Sequence, residues 1–352
     1  MLNPNGLGGG IRRNVIFMKI QLVHNYQDII STDNLLSAWQ EFIRGKRNKK
    51  DVQKFYMRLM DNILSLHDDL FNYNYHHGGY QEFNICDPKP RIIHKASVRD
   101  RLLHHGVYRI LYPFFNKTFI SDSFSCRNKK GTHRAIKRLK VFYGKVSKNK
   151  TKTCWVLKCD IRKFFHSINQ QVLLEIFQKY IPDEKIINLL REIIISFYHN
   201  QEGFGLPLGN LTSQLFSNVY MNEFDQFVKH KLKVRYYIRF ADDFVILSEN
   251  KNYLKEIIPI ISDFLQNNLS LVLHPNKIYI KTLYSGVDFL GWVNFPHHRV
   301  IRNKTKNRML ARIKGNKNSK SLSSYVGLLK HGNTERIKNK LLRLYVSEGR
   351  EL

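Results

Sequence analysis

A chain of 352 residues, 43% of them hydrophobic, is longer than one compact core usually needs, so we expect two or three lobes. Its 58 Lys and Arg against 28 Asp and Glu give a formal net charge of +30, which indicates a polyanionic partner, with nucleic acid as the first candidate. The sequence excludes a membrane span and a secretory signal, and its four cysteines form no CxxC pair, which indicates a cytoplasmic protein without a zinc site or disulfides.

The N-terminal third is predicted to be mainly helical. Residues 1–32 are expected to form a tail, in which Gly8–Gly10 make a flexible run. Apolar residues at helical spacing over 33–70 predict two helices, joined by the basic segment RGKRNKKD at 44–51. This segment is a candidate contact for RNA or for an accessory protein, and an exposed helix break is the alternative. The next predicted elements are an extended stretch at 78–95, a helix at 96–115, and a loop leading into a helix at 121–140.

The central third mixes strands and helices. Residues 154–160, CWVLKCD, form an apolar run that ends in an acid, which is typical of a buried strand with Asp160 at its exposed end. A Gly- and Pro-rich loop after residue 203 is predicted to lead into a long helix that ends near 232. The other predicted elements are a helix at about 170–180, a helix from Pro182, strands at 233–240 and 244–248, an amphipathic helix at 254–269, and strands at 271–280 and 286–295.

The C-terminal segment, residues 299–352, carries fifteen Lys and Arg against three Asp and Glu and is predicted to be mostly helical. Basic helices of this kind suit the phosphate backbone of a duplex, and binding through many phosphates predicts steep salt dependence. Strands and helices are mixed along the chain without a regular βαβ rhythm. The sequence therefore predicts an α+β fold, with a sheet domain and helical additions before and after it.

The segment YYIRFADDFVILS at 236–248 raises a chemical question, because two adjacent acids stand between apolar runs. Alternating side chains over 234–240 predict a strand that buries one face, formed by Val234, Tyr236, Ile238 and Phe240, and leaves Arg235, Tyr237 and Arg239 on the other. A tight turn would then place Asp242 and Asp243 at a hairpin tip, within reach of Asp160.

Three carboxylates in one place are tolerated when cations neutralise them. Carboxylate oxygens are ligands that Mg²⁺ prefers, and Mn²⁺ is a possible substitute. Two such ions can activate an attacking oxygen and stabilise a leaving phosphate, so the predicted chemistry is phosphoryl transfer on nucleic acid. A solvated acidic pair is the alternative, as we expect for Asp68 and Asp69 on a helical pattern.

Several motifs occur in the order and spacing of the reverse transcriptases. FADD at 240–243 resembles their [YF]xDD motif, and CDIRKFFHSI at 159–168 is similar to the motif that carries the first metal-binding Asp. Further resemblances are KPRIIHKASVRDRLLHH (89–105) and SFSCRNKKGTHRAI (123–136) in the fingers, GLPLGNLTSQLFSNVYMN (205–222) beside the nucleotide, HPNK (274–277) in the palm, GVDFLGWV (286–293) at the primer grip and SYVGLLKHGN (324–333) in the thumb.

This resemblance implies a right-hand polymerase. Its fingers would be residues 33–152, its palm 153–295 with a finger-like insertion at about 182–205, and its short helical thumb 296–352. The palm would contain an antiparallel sheet with helices. The implied activity is RNA-directed DNA synthesis, and the implied partners are a template RNA, the RNA–cDNA duplex and dNTPs.

The central loop narrows the resemblance within the superfamily that includes group II intron and retron enzymes. Leu208-Gly209 and Ser213-Gln214 stand where most members have Gln-Gly and Ser-Pro. LGNLTSQ resembles the loop of diversity-generating retroelements, whose enzymes copy a template RNA with frequent errors at adenines during mutagenic retrohoming. That subfamily implies a small basic accessory protein that assembles as a ring, in a bacterial, archaeal or phage-encoded setting.

The resemblance also implies roles at the metal site. Asp160 and Asp242 would hold both ions, with the carbonyl of Ile161 as an additional ligand and Asp243 as a more peripheral acid. Lys277 matches a position proposed as the general acid for pyrophosphate, and a solvated lysine is the alternative.

Other residues are candidates for nucleotide binding. Phe165 matches the aromatic that excludes a ribose 2′-OH, although it could instead be a core aromatic. Leu208, with Gly209 and Gln214 nearby, stands where a Gln normally contacts the base pair; its apolar side chain would loosen that check, or simply pack the loop. Arg91 and Arg127 are candidates for the triphosphate because guanidinium groups match phosphate oxygens, and template phosphates or solvent are the alternatives.

Three other functions stay open from the sequence. A retron or a CRISPR- or defence-associated reverse transcriptase shares most of the motifs. A non-catalytic nucleic-acid-binding scaffold would have no reason to keep three mutually repulsive acids. An RNA polymerase is disfavoured by Phe165, because viral RNA polymerases usually place an acid there to accept a hydrogen bond from the 2′-OH.

Overall fold

The computed structural model of the protein describes residues 20–86, 90–315 and 318–347. Three parts follow one another along the chain: N-terminal helices with a β-hairpin, an antiparallel sheet with helices on its faces, and a small sheet followed by C-terminal helices. The α+β class predicted from the sequence is confirmed. Within the described residues, no helix is both long enough and apolar enough to cross a bilayer.

The N-terminal part confirms the predicted helices and adds one break. The segment 33–70 forms separate helices on either side of Met57 and Arg58, as well as on either side of the basic loop. The elements are α1 Tyr26–Ile30, α2 Thr32–Phe42, α3 Lys50–Tyr56, α4 Leu59–Phe71 and α5 Val98–Thr118, with an antiparallel hairpin of β1 Gln81–Ile85 and β2 Arg91–Lys95 between α4 and α5.

Residues 20–32 are folded, although the sequence suggested a tail. Tyr26 is buried, its backbone N–H donates to Asp183 (2.7 Å), and its hydroxyl donates to the carbonyl of Leu70 (2.8 Å). Asn25 caps α1 through a capping box, which fixes the start of the helix. The predicted flexible run Gly8–Gly10 lies outside the described residues.

A four-stranded antiparallel sheet occupies the centre of the molecule. Its strands are β3 Trp155–Asp160, β4 Tyr237–Phe240, β5 Asp243–Ser248 and β6 Tyr279–Thr282, in the order β4-β5-β3-β6. One face of the sheet packs on the main core. The other face, which includes Val156 and Val245, packs on helix α6, Thr132–Val146. Because both faces are covered, the two central strands, β3 and β5, are mainly apolar runs.

Burial of both faces corrects one prediction for β4. Tyr237 and Arg239, which the alternation assigned to a polar face, are 0% and 1% exposed. They face the long central helix α10, Leu211–Gln226, and bind its Asp225. The alternation correctly predicted a strand, but it could not show that a second layer covers the other face.

The remaining helices of the central part cover the sheet and complete its core. They are α7 Phe164–Ser167, α8 Gln170–Gln178, α9 Glu184–Ile195, α10 Leu211–Gln226 and α11 Lys251–Leu269, and α10 continues into a π-helical turn at Phe227–Lys231. The strand predicted at 271–280 forms only in part. Its last two residues begin β6, and Leu273 makes an isolated bridge with Ile161.

The C-terminal part has a separate small core. A three-stranded antiparallel sheet, β7 Val287–Phe289, β8 Trp292–Asn294 and β9 Arg299–Ile301, precedes helices α12 Asn303–Gly315, α13 Ser319–Leu329 and α14 Glu335–Ser347. Trp292 packs there with Met309 and Leu341, and Ile136 of α6 joins this cluster. The helical C-terminal segment predicted from the sequence is therefore confirmed over the described residues.

Candidate active site

Three acids from distant parts of the chain meet at one end of the central sheet. In the hairpin of β4 and β5, Phe240 pairs with Asp243, so Ala241 and Asp242 form a two-residue turn. Asp160 ends β3 and pairs in register with Asp243. The N–H of Ile161 donates to the carbonyl of Asp242 at 3.3 Å. The sheet register thus brings together the three acids that the sequence analysis expected to converge.

A buried ion pair behind the turn holds its backbone. Ala241 has a φ of 56°, a left-handed conformation that is unfavourable for a residue with a Cβ. The guanidinium of Arg239 donates to the Ala241 carbonyl (3.1 Å) and to Asp225 (2.7 and 2.6 Å). Tyr237 and Ser123 complete the network with bonds of 2.7 and 3.1 Å. The sequence analysis missed Asp225, because α10 is rich in polar residues and nothing in the sequence distinguishes this acid from its neighbour Glu223.

The acids carry more negative charge than their surroundings neutralise. Burial first, and then Asp242 and Asp160, raise the pKa of Asp243 to about 7, even though Lys158 opposes the shift. Burial and the charge of Asp160 also raise the pKa of Asp242, opposed by Lys277 and Arg91. Additional positive charge at this site would lower the pKa values of Asp242 and Asp243 and so favour their ionised forms.

Two lysines contact the acids directly. Lys158 of β3, whose side chain is 10% exposed, lies 3.2 Å from Asp243, and Lys277 lies 2.7 Å from Asp160. The backbone of Asp160 is also held, because its carbonyl accepts from His274 at 2.8 Å. The sequence analysis missed Lys158, whose signal is a lone cation in a strand of otherwise apolar residues.

The donor set fits a hard divalent cation in chemical type. Three carboxylates lie together, and the Oδ1 atom of Asp243 is buried without a hydrogen-bond partner in the described part of the chain. In the same residues no group of three or more His, Cys, Asp or Glu side chains is arranged to enclose a metal ion. Asp160 and Asp243 instead contact the ammonium groups of Lys277 and Lys158.

The loop with Leu208 is fixed to the β-hairpin. The carbonyl of Leu208 accepts from the N–H of His94 at 2.9 Å, and Asn210 donates back to the His94 carbonyl at 2.8 Å. Gly209 has a φ of 109°, and a Cβ there would stand 2.6 Å from a methyl carbon of Ile93. Glycine is therefore required at this position, and hairpin and loop form one unit.

The other candidate nucleotide-binding residues are Phe165, Gln214 and Arg91. The Phe165 ring is half-buried, edge-to-face with Phe164 at 5.3 Å, and its backbone carbonyl accepts from Leu206 at 2.8 Å. Gln214 is exposed and lines, with Gly209, a cavity of about 420 Å³. Arg91 is exposed and lies close enough to lower the pKa of Asp242, which places it on the side of the acids.

Arg127 uses most of its donors inside the protein. Its guanidinium donates to the side chain and carbonyl of Asn116 (2.9 and 3.2 Å) and to the carbonyls of Ile120 (2.6 Å) and Ser123 (3.0 Å). It also stacks over Phe119 at 5.2 Å. The fork that suits phosphate oxygens suits carbonyl oxygens equally, and here four of its five N–H donors hold the loop before α6, so a contact with the triphosphate stays a prediction.

Comparison with known proteins places these features in a family. Residues 86–293, more than half of the chain, match the family model described as reverse transcriptase (RNA-dependent DNA polymerase). The chain is 24% identical over 247 residues to Protein YkfC of Escherichia coli (strain K12), covering 60% of this chain and 63% of that protein. It is 26% identical over 153 residues to Group II intron-encoded protein LtrA of Lactococcus lactis subsp. cremoris, covering 42% and 24%. Both alignments span less than two thirds of the relative.

The fold comparison agrees. Apo telomerase from Candida tropicalis superposes with a TM-score of 0.52 at 14% identity, over 76% of this chain and 56% of that one. At this identity the likeness concerns the fold alone. Together with the antiparallel sheet and its flanking helices, it confirms the predicted right-hand polymerase fold.

Proposed function

This chain belongs to the reverse transcriptase family, and we propose that it is an RNA-directed DNA polymerase. The observation that supports this most directly is the convergence of Asp160, Asp242 and Asp243 at the end of the sheet. Asp160 and Asp242, with the carbonyl of Ile161, would hold two Mg²⁺ or Mn²⁺ ions, and Asp243 would stay peripheral beside Lys158. Such ions, when bound, lower the pKa of a primer 3′-OH and stabilise the pyrophosphate leaving group.

The chain's own residues would bind and orient the substrates. Lys277, beside Asp160, would give a proton to the departing pyrophosphate, and Arg91 would bind the triphosphate. Phe165 would leave no space for a ribose 2′-OH and so select dNTPs. Leu208, with Gly209 and Gln214, would contact the nascent base pair. Arg127 would take part with at most one N–H, because four of its five donors are already bonded within the protein.

The lobes follow from the same proposal. We assign residues 33–152 to fingers, 153–295 to a palm with the insertion at about 182–205, and 296–352 to a thumb. The net charge of +30 suits the template RNA and the RNA–cDNA duplex. A duplex held through many phosphates would bind with steep salt dependence.

Primer extension on an RNA template tests the polymerase assignment. We expect incorporation of dNTPs but not rNTPs with Mg²⁺, and a loss of at least about 100-fold in the Asp160→Asn and Asp242→Asn variants. Asp68→Asn is the matched control, because Asp68 belongs to the other acidic pair and its side chain is 71% exposed. Extension that survives both active-site substitutions, or is lost equally in the control, would contradict the assignment.

We further propose that the enzyme serves a diversity-generating retroelement and makes adenine-mutagenised cDNA. LGNLTSQ at 208–214 supports this subtype, which would add a small basic ring-forming accessory protein as a partner. Genes beside the coding region distinguish it from a retron or defence enzyme. Leu208→Gln should restore a hydrogen bond that restrains the base pair and lower the error rate at template adenines. An unchanged error spectrum in sequenced cDNA would remove Leu208 from the explanation.

A further inference from the structure

A second cavity lies away from the three acids, between helices α2 and α3. Its volume is about 440 Å³, within the range of small-ligand sites, and none of the three acids lines it. Its walls include Trp39 and Ile43 of α2 and its end, Arg47 of the basic loop, and Gln53 and Tyr56 of α3. The basic loop is the segment for which the sequence analysis left an RNA contact open.

The cavity has an aromatic face on its α3 side. Trp39 is 1% exposed and its indole N–H is buried, so Trp39 serves as the support for that face rather than as a donor to a bound group. Tyr56 lies parallel to Trp39, with 4° between the rings, and is 63% exposed. Its outer face is therefore available for stacking.

The charge around the cavity selects an anionic partner. Residues 44–58 contain seven Lys and Arg and a single acid, Asp51. That acid is already bound by Lys95 and Arg101, each at 2.7 Å. Among the residues that the structure describes, no carboxylate lines the cavity. A planar base attached to a phosphate, which is a nucleotide, meets the aromatic face and the charge together.

The position of the basic loop indicates which nucleotide this is. Lys46 lines the cavity shared with Gly209 and Gln214, and Arg47, the next residue, lines the second cavity. One loop thus separates the proposed base-pair contact from the cavity. We infer that the cavity binds an unpaired nucleotide of the template RNA before it is copied, with Tyr56 stacking on the base and Arg47 binding a phosphate. This inference rests on the proposed function, because only a polymerase that copies RNA would draw the unpaired template past the cavity toward the three acids.

Binding to primer–template duplexes with RNA overhangs of different length tests the inference. Fluorescence anisotropy in EDTA measures Kd for duplexes with 1, 4, 8 and 12 unpaired template nucleotides. We expect affinity to rise once the overhang reaches the cavity, and Tyr56→Leu and Arg47→Gln to abolish this gain, which is about fivefold or more for one stacked base. Both residues are exposed, but Tyr56→Leu removes a ring that stacks on Trp39, so an unchanged thermal unfolding midpoint is required before its binding is interpreted.

Arg44→Gln is the matched control, because it removes one charge from the same loop but Arg44 does not line the cavity. An equal loss in Arg44→Gln, or an equal loss for all overhangs, would indicate general electrostatic attraction and overturn the inference. Unchanged binding in both cavity variants would also overturn it, and would favour a protein partner for the neighbouring exposed Met57, Met60 and Leu64.

Photocrosslinking gives a second, independent readout. A 4-thiouridine placed along the overhang should crosslink to peptides within residues 39–56, and crosslinks confined to other peptides would contradict the site. Failure of the polymerase proposal is distinguishable, since it would abolish primer extension on every template while overhang-dependent binding could still be measured.

Discussion

Two buried ion pairs on the same sheet differ in how well their charges balance. Asp225 receives hydrogen bonds from both Arg239 and Tyr237, and Arg239 and Asp225 are at most 1% exposed. Asp243 pairs with Lys158, but burial and then the neighbouring Asp242 and Asp160 raise its pKa to about 7, and one of its oxygens lacks a hydrogen bond within the described structure. The balanced pair fixes the backbone of the turn. The unbalanced pair marks the place where positive charge from outside the protein is required.

Asp225→Asn should have the largest effect on stability. The substitution keeps the shape of the side chain but leaves the buried Arg239 guanidinium without its counter-charge. We expect a loss of about 3–5 kcal/mol in the free energy of unfolding, measured by urea denaturation at pH 7.5. Glu223→Gln on the same helix is the control, because Glu223 pairs with an exposed lysine, Lys179, and should change stability by less than about 1 kcal/mol. A loss below about 1 kcal/mol for Asp225→Asn would mean that the pair is not structural.

The same chemical change at Asp243 should have the opposite sign. The folded-state pKa of Asp243 is raised from 3.8 to about 7, so this group favours the folded state below pH 3.8, and the contribution is lost as the pH rises through about 7. Asn resembles the protonated acid at every pH. In EDTA at pH 8, Asp243→Asn should therefore raise the free energy of unfolding by up to about 4 kcal/mol.

The pH dependence separates this effect from a general surface effect. The stabilisation by Asp243→Asn should disappear at pH 4, where the wild-type acid is largely protonated in the folded state. Asp68→Asn, at an acid whose side chain is 71% exposed, should show no such dependence. If Asp243→Asn lowers the free energy of unfolding at pH 8, the ion pair with Lys158 outweighs the cost of burying the Asp243 carboxylate. The two ion pairs would then not differ in sign.

The sequence predicted the elements around the site better than the contacts between them. Apolar runs and turn residues predicted β3 and the hairpin, and the position of Asp160 at a strand end and of Asp242 and Asp243 at a hairpin tip predicted that the three acids meet. These signals are local, because strand periodicity and turn chemistry depend on neighbouring residues. Gly209 could be predicted as part of the motif, but not the close approach of Ile93 that requires a glycine there.

The contacts that the sequence did not predict depend on distant segments. Arg239 alternates with apolar neighbours, as on an exposed strand face, and its burial is decided by Asp225 of α10, which covers that face. Arg127 has the chemistry for a phosphate, but the carbonyls of Ile120 and Ser123 occupy its donors. In both cases the side chain alone is ambiguous, and the tertiary partner determines its role.

Lys277→Gln should have the smallest effect on stability and so separates positioning from chemistry. Lys277 contacts Asp160 at 2.7 Å as Lys158 contacts Asp243 at 3.2 Å, but its side chain is 42% exposed against 10% for Lys158. An exposed pair contributes little, so the free energy of unfolding should change by less than about 1 kcal/mol. If Lys277 gives a proton to pyrophosphate, single-turnover DNA synthesis should nevertheless fall by at least about tenfold. If the Lys277→Gln variant matches the wild type in both stability and DNA synthesis, Lys277 is a solvated lysine. Lys158 would then be the lysine that stabilises the ionised acids.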